Sequence, residues 1–531
     1  MRNSSRIVAA ALLLIIAIVA PHPAARAAAP VLRLAVADEP ASINPFLNSN
    51  PTEGELIGLI FSGLLGRDPK GAFVPDLALA VPSTANGGIS ADGKRITFHL
   101  RHGVRWQDGA PFDASDVVFT YLAAKNPKLD IAVALADLVS VSAPDRWTVV
   151  FRLSRAHAEV LGDYFASPVI LPRHLLSSVA DLNRADFNVH PIGTGPYAFD
   201  VWQRGVSIDL RANPYYYGRA PAIPRVRFVF ASPSTATMML RTGEMDVALV
   251  QASGAALLGG SSVRLEEFRR HSLHYVSLNM KHAPLDDVRV RRAFELAIDR
   301  SRLVATIYHG NAIVADALVP PYDWGYAPLP APSPDAARAG ALLDRAGWRM
   351  GADGVRVRDG KPLSVDLVYL SEQAEFGELA VQLQSIWAKI GVRVELRPMA
   401  VRILEARDGP LRTGNYDMIV ESFGFPNDSP DRSFMLEAEA VVPHGYNDAY
   451  YADPDVRRWD DAAEYSYDQS KRKSYYRLIQ QRVARDVPYI PIAWVEAVFG
   501  YSSRLRRIVV PSSGGVYTFV GDWSLSAPGS P

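Results

Sequence analysis

Apolar and polar residues alternate over Ile96–Arg101, with Ile96, Phe98 and Leu100 apolar and Thr97, His99 and Arg101 polar. A period of two puts one set of side chains on one face of an extended chain and predicts a half-buried strand. Gly103 and Asp108-Gly109 mark turns. Phe112-Asp113 then opens a helix. Asp113 is placed to cap it, Asp116 stands in the capping-box position, and Phe112 and Val117 have the spacing of a hydrophobic staple. A second strand is predicted at Trp147–Leu153.

Other stretches carry similar signals. Val31–Ala37 reads as a strand, followed by the turn signals Asp38-Glu39-Pro40 and Asn44-Pro45, and Glu55–Leu65 as a short helix. Arg225–Phe230 and His274–Asn279 are expected strands, Ser234–Thr242 a helix, and Gly243–Ala248 a turn into a strand. The clearest helix is Asp286–Arg300, where Val290, Ala293, Phe294, Ala297 and Ile298 recur at helical spacing. Arg289, Arg291, Arg292 and Glu295 lie mostly off that stripe and read as a solvated face rather than an anion site. Pro334–Ala346 is a second helix, with Ser333 as cap and Gly347 past its end. A strand at Leu363–Leu370, a helix at Glu375–Lys389 and a strand at Gly391–Arg397 form a parallel βαβ unit, so the fold class is α/β. Tyr416–Ser422 and Pro488–Ala493 are further strands.

Composition narrows the function. The chain of 531 residues has room for two or three domains. Its 56 basic and 56 acidic residues offer no basic excess for nucleic acid. Arg2 and Arg6 precede the apolar run Ile7–Ala20, and Ala25-Arg26-Ala27 or Ala27-Ala28-Ala29 follows as a cleavage site, so residues 1–29 read as a cleavable signal peptide. The run is short for a membrane span of about 20 residues. Its removal takes away three arginines and leaves a net charge of −3. There is no cysteine, hence neither a disulfide to form nor a thiol for lipid attachment behind the signal. A freely soluble periplasmic protein is the expectation.

The residues make no case for an enzyme. Cysteine nucleophiles are absent, and the eleven histidines form no H-E-x-x-H or H-x-E arrangement. No G-x-S-x-G precedes a helix. Ile192–Tyr197, I-G-T-G-P-Y, lacks the third glycine of a dinucleotide turn and the Lys-Ser/Thr of a P-loop. It reads as a chain crossing between domains. No cofactor is implied.

Three blocks together resemble one family. They are Ile96–Tyr121; I-G-T-G-P-Y with the following N-P-Y-Y-Y-G; and P-L-D-D-V-R-V-R-R-A-F-E-L-A-I-D-R. In this order they resemble the family 5 extracellular solute-binding proteins, the peptide- and nickel-type binding components of ABC importers. The resemblance implies a two-lobed α/β periplasmic binding protein of type II, cluster C-like, with a hinge and an extra subdomain. Lobe I would comprise 30–62, 192–279 and 489–531, the additional subdomain 63–191, and lobe II 280–488. The implied function is capture of a small peptide or similar amine-bearing solute between the lobes, for delivery to inner-membrane permease subunits, by a monomer. Alternatives are a non-peptide cargo (nickel chelate, haem, opine, oligosaccharide) or a periplasmic sensor or binding module without transport.

Phe423–Asp431, F-G-F-P-N-D-S-P-D, follows a strand end, where ligands of α/β proteins gather. By composition alone it is an ordinary turn. In peptide-binding members of the family, an Asp a few residues after a Gly-aromatic pair receives the peptide amino group. Aligning Gly424-Phe425 on that pair gives Asp428 this role, with Asp431 as the second choice. Phe423, Gly424, Phe425 and Asn427 are then expected around the ligand, with Tyr322 and Trp324 lining the cleft. The chain departs from the family in having Phe425 where Trp is usual, and Glu421-Ser422 where some oligopeptide binders place an Arg for the ligand carboxylate. Trp106 and Asp108 are expected to serve packing and a turn.

Overall fold

The computed structural model describes residues 30–47, 51–126, 137–250, 252–329, 332–424, 429–441, 444–511 and 515–526. Val31–Val36 pairs in parallel with Arg225–Phe230 over its full length and meets Val247–Val250 on its other side. Strand alternation buries Leu32 and Leu34 completely. From this centre a mixed eleven-stranded sheet extends in both directions. One way it continues through Arg225–Phe230 and Ser207–Ala212 to Tyr197–Gln203. The other way it runs through Tyr489–Ser502, Val263–Leu278, Met418–Gly424 and Ser364–Leu370 to Arg393–Met399.

The molecule is two-lobed, and two long strands join the lobes. Val263–Leu278 and Tyr489–Ser502 run antiparallel to one another. At one end Tyr489–Ser502 pairs with Val247–Val250, and at the other Val263–Leu278 pairs with Met418–Gly424. The register between them shifts between Phe268 and Ser272 and again between His274 and Tyr275. Such irregularities bend a strand locally, and here they fall where the two halves of the sheet meet. Each half has its own core. One gathers Leu32, Phe61, Tyr197, Phe228 and Trp523; the other gathers Phe294, Leu367, Leu383, Trp387 and Ile490.

The Ile96–Tyr121 stretch lies in an added unit with a third core. Arg95–His99, Thr148–Leu153 and Leu138–Asp145 form a three-stranded antiparallel sheet. Ile96, Phe98, Trp106, Phe112, Val117 and Phe151 are buried together beneath it. The helix Ala114–Ala124 starts as its sequence demands: Asp113 accepts from the Ser115 amide at 2.9 Å, and Asp116 accepts from the Asp113 amide at 3.0 Å. Trp106 is buried, and Asp108 accepts from the Ala110 amide, as expected for packing and turn residues.

Several expectations need correction. The helix expected at Asp286–Arg300 is Val288–Leu296; it ends early, and Asp299, accepting from the Arg302 amide, caps a separate helix at Arg300–Ile307. Arg291 is not solvated: it is 3% exposed and donates to the carbonyls of Leu285, Asp286, Asp486 and Val487. The next helix spans Ala336–Arg345 and is capped by Asp335 rather than Ser333. The helix expected at Glu55–Leu65 is Pro51–Ile60, since Leu65 already belongs to a short strand. The strands at His274–Asn279 and Pro488–Ala493 are only the ends of the two long joining strands.

The I-G-T-G-P-Y stretch is a crossing, as expected. A Cβ at Gly193 would stand 1.9 Å from the Ile60 carbonyl oxygen, and one at Gly195 2.6 Å from that of Leu59. These glycines let the chain press against the end of the Pro51–Ile60 helix. Residues 1–29 lie outside the described residues. Among the described residues, no helix is long and apolar enough to cross a membrane.

Candidate functional site

The strand Met418–Gly424 ends between the lobes, and its last residues begin the site. Phe423 is half-buried, with its ring 4.8 Å from those of Phe434 and Tyr446. Gly424 is exposed and has open space where a side chain would stand. Phe425, Asn427 and Asp428 lie outside the described residues. The chain is described again from Ser429. Asp431 accepts from the Ser433 amide at 2.7 Å, and Arg432 is buried. The Arg432 guanidinium donates to the carbonyls of Leu318, Ser429 and Asp431. Burial pushes its pKa down to about 10. Through Nε and Nη1 this arginine pins the segment to the Leu318 region.

The second expected element arrives at the same place. A side chain at Gly325 would run into the Pro430 ring, at 2.4 Å, so the Tyr322–Gly325 loop rests on Pro430. Tyr322 and Trp324 are both half-buried. The Trp324 ring meets Tyr476 edge-on at 5.8 Å, and the Arg472 guanidinium lies 5.0 Å over it. The structure thus brings Phe423, Tyr322, Trp324 and Asp431 into one region.

Sequence reasoning missed the acidic wall of this region. Pro454–Glu464 is a helix capped by Asp453, with Val456, Asp460 and Ala463 on its buried face. Glu464 follows one turn after Asp460. Asp431, Glu437 and Glu464 raise the proton affinity of Asp460, after burial itself, which is the largest cause. Burial also pushes Glu437 and Glu464 up to about 7, against the opposing charges of Arg457 and Arg155 respectively. Arg457 sits 2.7 Å from Glu437. One signal was available: Asp460 is an acid at a core position of an amphipathic helix.

Across from this wall stands the added unit. His157 Nε2 lies 3.1 Å from Glu464, and its Nδ1 lies 2.9 Å from Asp137. The Arg472 guanidinium pairs with Glu159, and the Tyr467 hydroxyl donates to the carbonyls of Gly93 and His157. Asp137, His157 and Glu464 have the donor types and proximity to hold a metal ion. However, Arg155 donates to the same Asp137 carboxylate at 2.9 Å, and its positive charge opposes a cation there. As arranged, these groups are an ion-pair seam between the added unit and the far lobe.

The family model for the bacterial extracellular solute-binding proteins, family 5, matches residues 72–438, well over half of the chain. The chain belongs to this family. It is 31% identical to Protein XP55 of Streptomyces lividans over 500 residues, covering 91% of this chain and 86% of that one. It is 28% identical to the dipeptide-binding protein of Escherichia coli over 439 residues, covering 76% of this chain and 79% of the other. Among solved structures, NikZ of Campylobacter jejuni in complex with Ni(L-His) superposes with a TM-score of 0.80 at 29% identity, covering 93% of this chain and 99% of that chain. Its relatives are thus solute-binding proteins, and the two-lobed fold is theirs.

Proposed function

We propose that this protein is the substrate-binding component of an ABC importer, and that it captures a small peptide or similar amine-bearing solute between its lobes. One observation supports this above others. Phe423, Pro430 and Asp431, the Tyr322–Gly325 loop and an excess of carboxylates converge at the lobe boundary, in a chain similar to a dipeptide-binding protein. Asp428 receives the amino group of the cargo, as a fixed carboxylate in a water-poor cleft would, through a charge-assisted hydrogen bond. Phe423, Gly424, Phe425, Asn427, Tyr322 and Trp324 surround it.

In this reading lobe I comprises 30–62, 192–279 and 489–531, the added subdomain 63–191, and lobe II 280–488. The lobes close about the two joining strands, and the closed form docks on the permease. The protein acts as a monomer in the periplasm after residues 1–29 are removed. The similarity to NikZ favours a second reading, a chelated metal ion as cargo. Native mass spectrometry of protein purified from its own periplasm separates the two. A trapped mass of two to a few amino acids is expected. A metal-chelate mass would favour the second reading, and a long sugar would overturn both.

A further inference from the structure

The added unit and the far lobe meet along one short stretch of each. Residues 155–159 of the added unit face residues 464–476, where the helix Pro454–Glu464 ends and the helix Gln469–Asp486 begins. The Ala158 amide donates to the Glu464 carbonyl at 2.8 Å. The Arg155 guanidinium lies 4.1 Å over the Tyr465 ring. The Tyr467 ring stands so near Gly93 that a Cβ there would meet it at 3.0 Å. Arg472 pairs with Glu159, and both side chains are nearly buried. Each contact joins one unit to the other, so separation of the lobes breaks them all.

The Arg472 pair continues into the candidate site. The guanidinium that holds Glu159 lies 5.0 Å from the centre of the Trp324 ring and 5.8 Å from that of Tyr476. The Tyr476 hydroxyl accepts from Arg472 Nη2 at 3.3 Å and donates to Glu159 at 3.4 Å. Arg472 Nε is buried and has no acceptor among the described residues. Buried donors that serve only the fold are normally given acceptors. Here Nη2 makes the contacts to Glu159 and Tyr476, and ring faces set the rest of the position. A planar cation over an aromatic face follows that face, because the attraction acts only within about 6 Å. Where the Trp324 ring stands therefore decides where Arg472 stands, and with it how well Glu159 is held.

We propose that Arg472 is a positioning residue for cargo capture: it carries the placement of the Trp324 ring to the ion pair with Glu159, so that a cargo group seated against Trp324 tightens the seam between the added unit and the far lobe. This rests on the reading of Trp324 as a cleft residue and adds the link from that contact to closure. By reciprocity, an intact Arg472–Glu159 pair strengthens cargo binding by the same factor.

The test exploits the absence of cysteine. Ser142→Cys on the added unit and Lys389→Cys on the far lobe, both at exposed positions, carry spin labels on the mature protein, freed of bound solute by unfolding and refolding. Double electron–electron resonance reads the distance between them as a mixture of the twenty Ala-Xaa dipeptides, or Ni(L-His) alone, is added. Wild type is expected to close, and Glu159→Gln and Trp324→Leu are each expected to raise the half-closing concentration at least about fivefold. The double variant is expected to match the weaker single variant to within about twofold, because both changes cut one relay. Arg472→Gln, which offers Glu159 an amide but the rings no cation, is expected to behave alike. The Glu159 and Trp324 pair leaves Arg472 in place and covers the case of an Arg472 variant that does not fold. Effects that multiply in the double variant, or an Arg472→Gln protein that closes as wild type does, would overturn the relay while leaving capture standing. Closure by Ni(L-His) and not by the dipeptides, with the same non-multiplying pattern, would uphold the relay and favour the chelate as cargo. Closure by neither probe would overturn both.

Discussion

Asp460→Asn should stabilise the ligand-free protein, and more so as pH rises. Asp460 has its proton affinity raised by burial and by the facing carboxylates of Asp431, Glu437, Glu464 and Asp461, while Arg457 pairs with Asp461 and Arg155 approaches Glu464. An ordinary Asp releases its proton near pH 3.9. In the folded chain Asp460 keeps its proton well above that. Between those two values the folded state holds a proton that the unfolded state has released, so stability falls as pH rises. The slope is about 1.4 kcal/mol per pH unit for one such group. Asn has the shape of the protonated acid and no proton to lose. Relative to wild type, the variant should therefore gain stability as pH rises above the ordinary Asp value, until the folded-state Asp460 itself releases its proton.

Urea unfolding of the ligand-free protein, followed by tryptophan fluorescence at pH 5, 6 and 7, measures this difference directly. Burial raises Glu437 and Glu464 to about 7, at the top of this window, so the comparison between pH 5 and pH 6 is the cleaner one. A difference that stays constant from pH 5 to pH 7, or a variant that loses ground as pH rises, would refute the reasoning. Such a result would mean that Asp460 is ionised and already satisfied in the empty protein.

Other outcomes follow from individual contacts. Asp428→Ala should weaken amine-terminated ligands by about 10- to 100-fold in calorimetry, the worth of one charge-assisted hydrogen bond, with an unchanged circular dichroism spectrum. Gly193→Ala would place a methyl 1.9 Å from a backbone oxygen and should cost about 3 kcal/mol in denaturant unfolding. Asp113→Ala removes the cap of Ala114–Ala124 and should cost about 1 kcal/mol in the same assay. Replacing Arg472 and Tyr467 by Ala removes seam contacts to Glu159, Gly93 and His157, and should raise the radius of gyration of the ligand-free protein in solution scattering.

Local signals served well wherever a short segment satisfies itself. The capping box at Asp113–Asp116, the strand Arg225–Phe230 and the parallel βαβ unit around Glu375–Lys389 depend on neighbours in sequence, and all were legible. Long-range partners were not. Arg291 looked solvated because the carbonyls of Asp486 and Val487 that it binds lie almost two hundred residues away. The joining strands looked short because their remaining residues extend only by pairing with each other. Asp299 hid a helix break, since an acid inside an amphipathic run resembles an ordinary polar position. At the site, the expectation that Phe423, Tyr322 and Trp324 line the cleft came from family resemblance rather than from spacing. The acidic wall assembles from Asp431, Glu437 and the face of one helix against a separate unit, and no single window of sequence contains it.

Glu464 links the wall to the seam. It shares a helix face with Asp460 one turn away, and like charges at that spacing repel. It also accepts the contact from His157 across the lobes. In the empty protein these two demands conflict: a charged Glu464 strengthens the seam but worsens the repulsion along the helix. A cationic group placed between the carboxylates removes the repulsion and leaves Glu464 charged for Arg155 and His157.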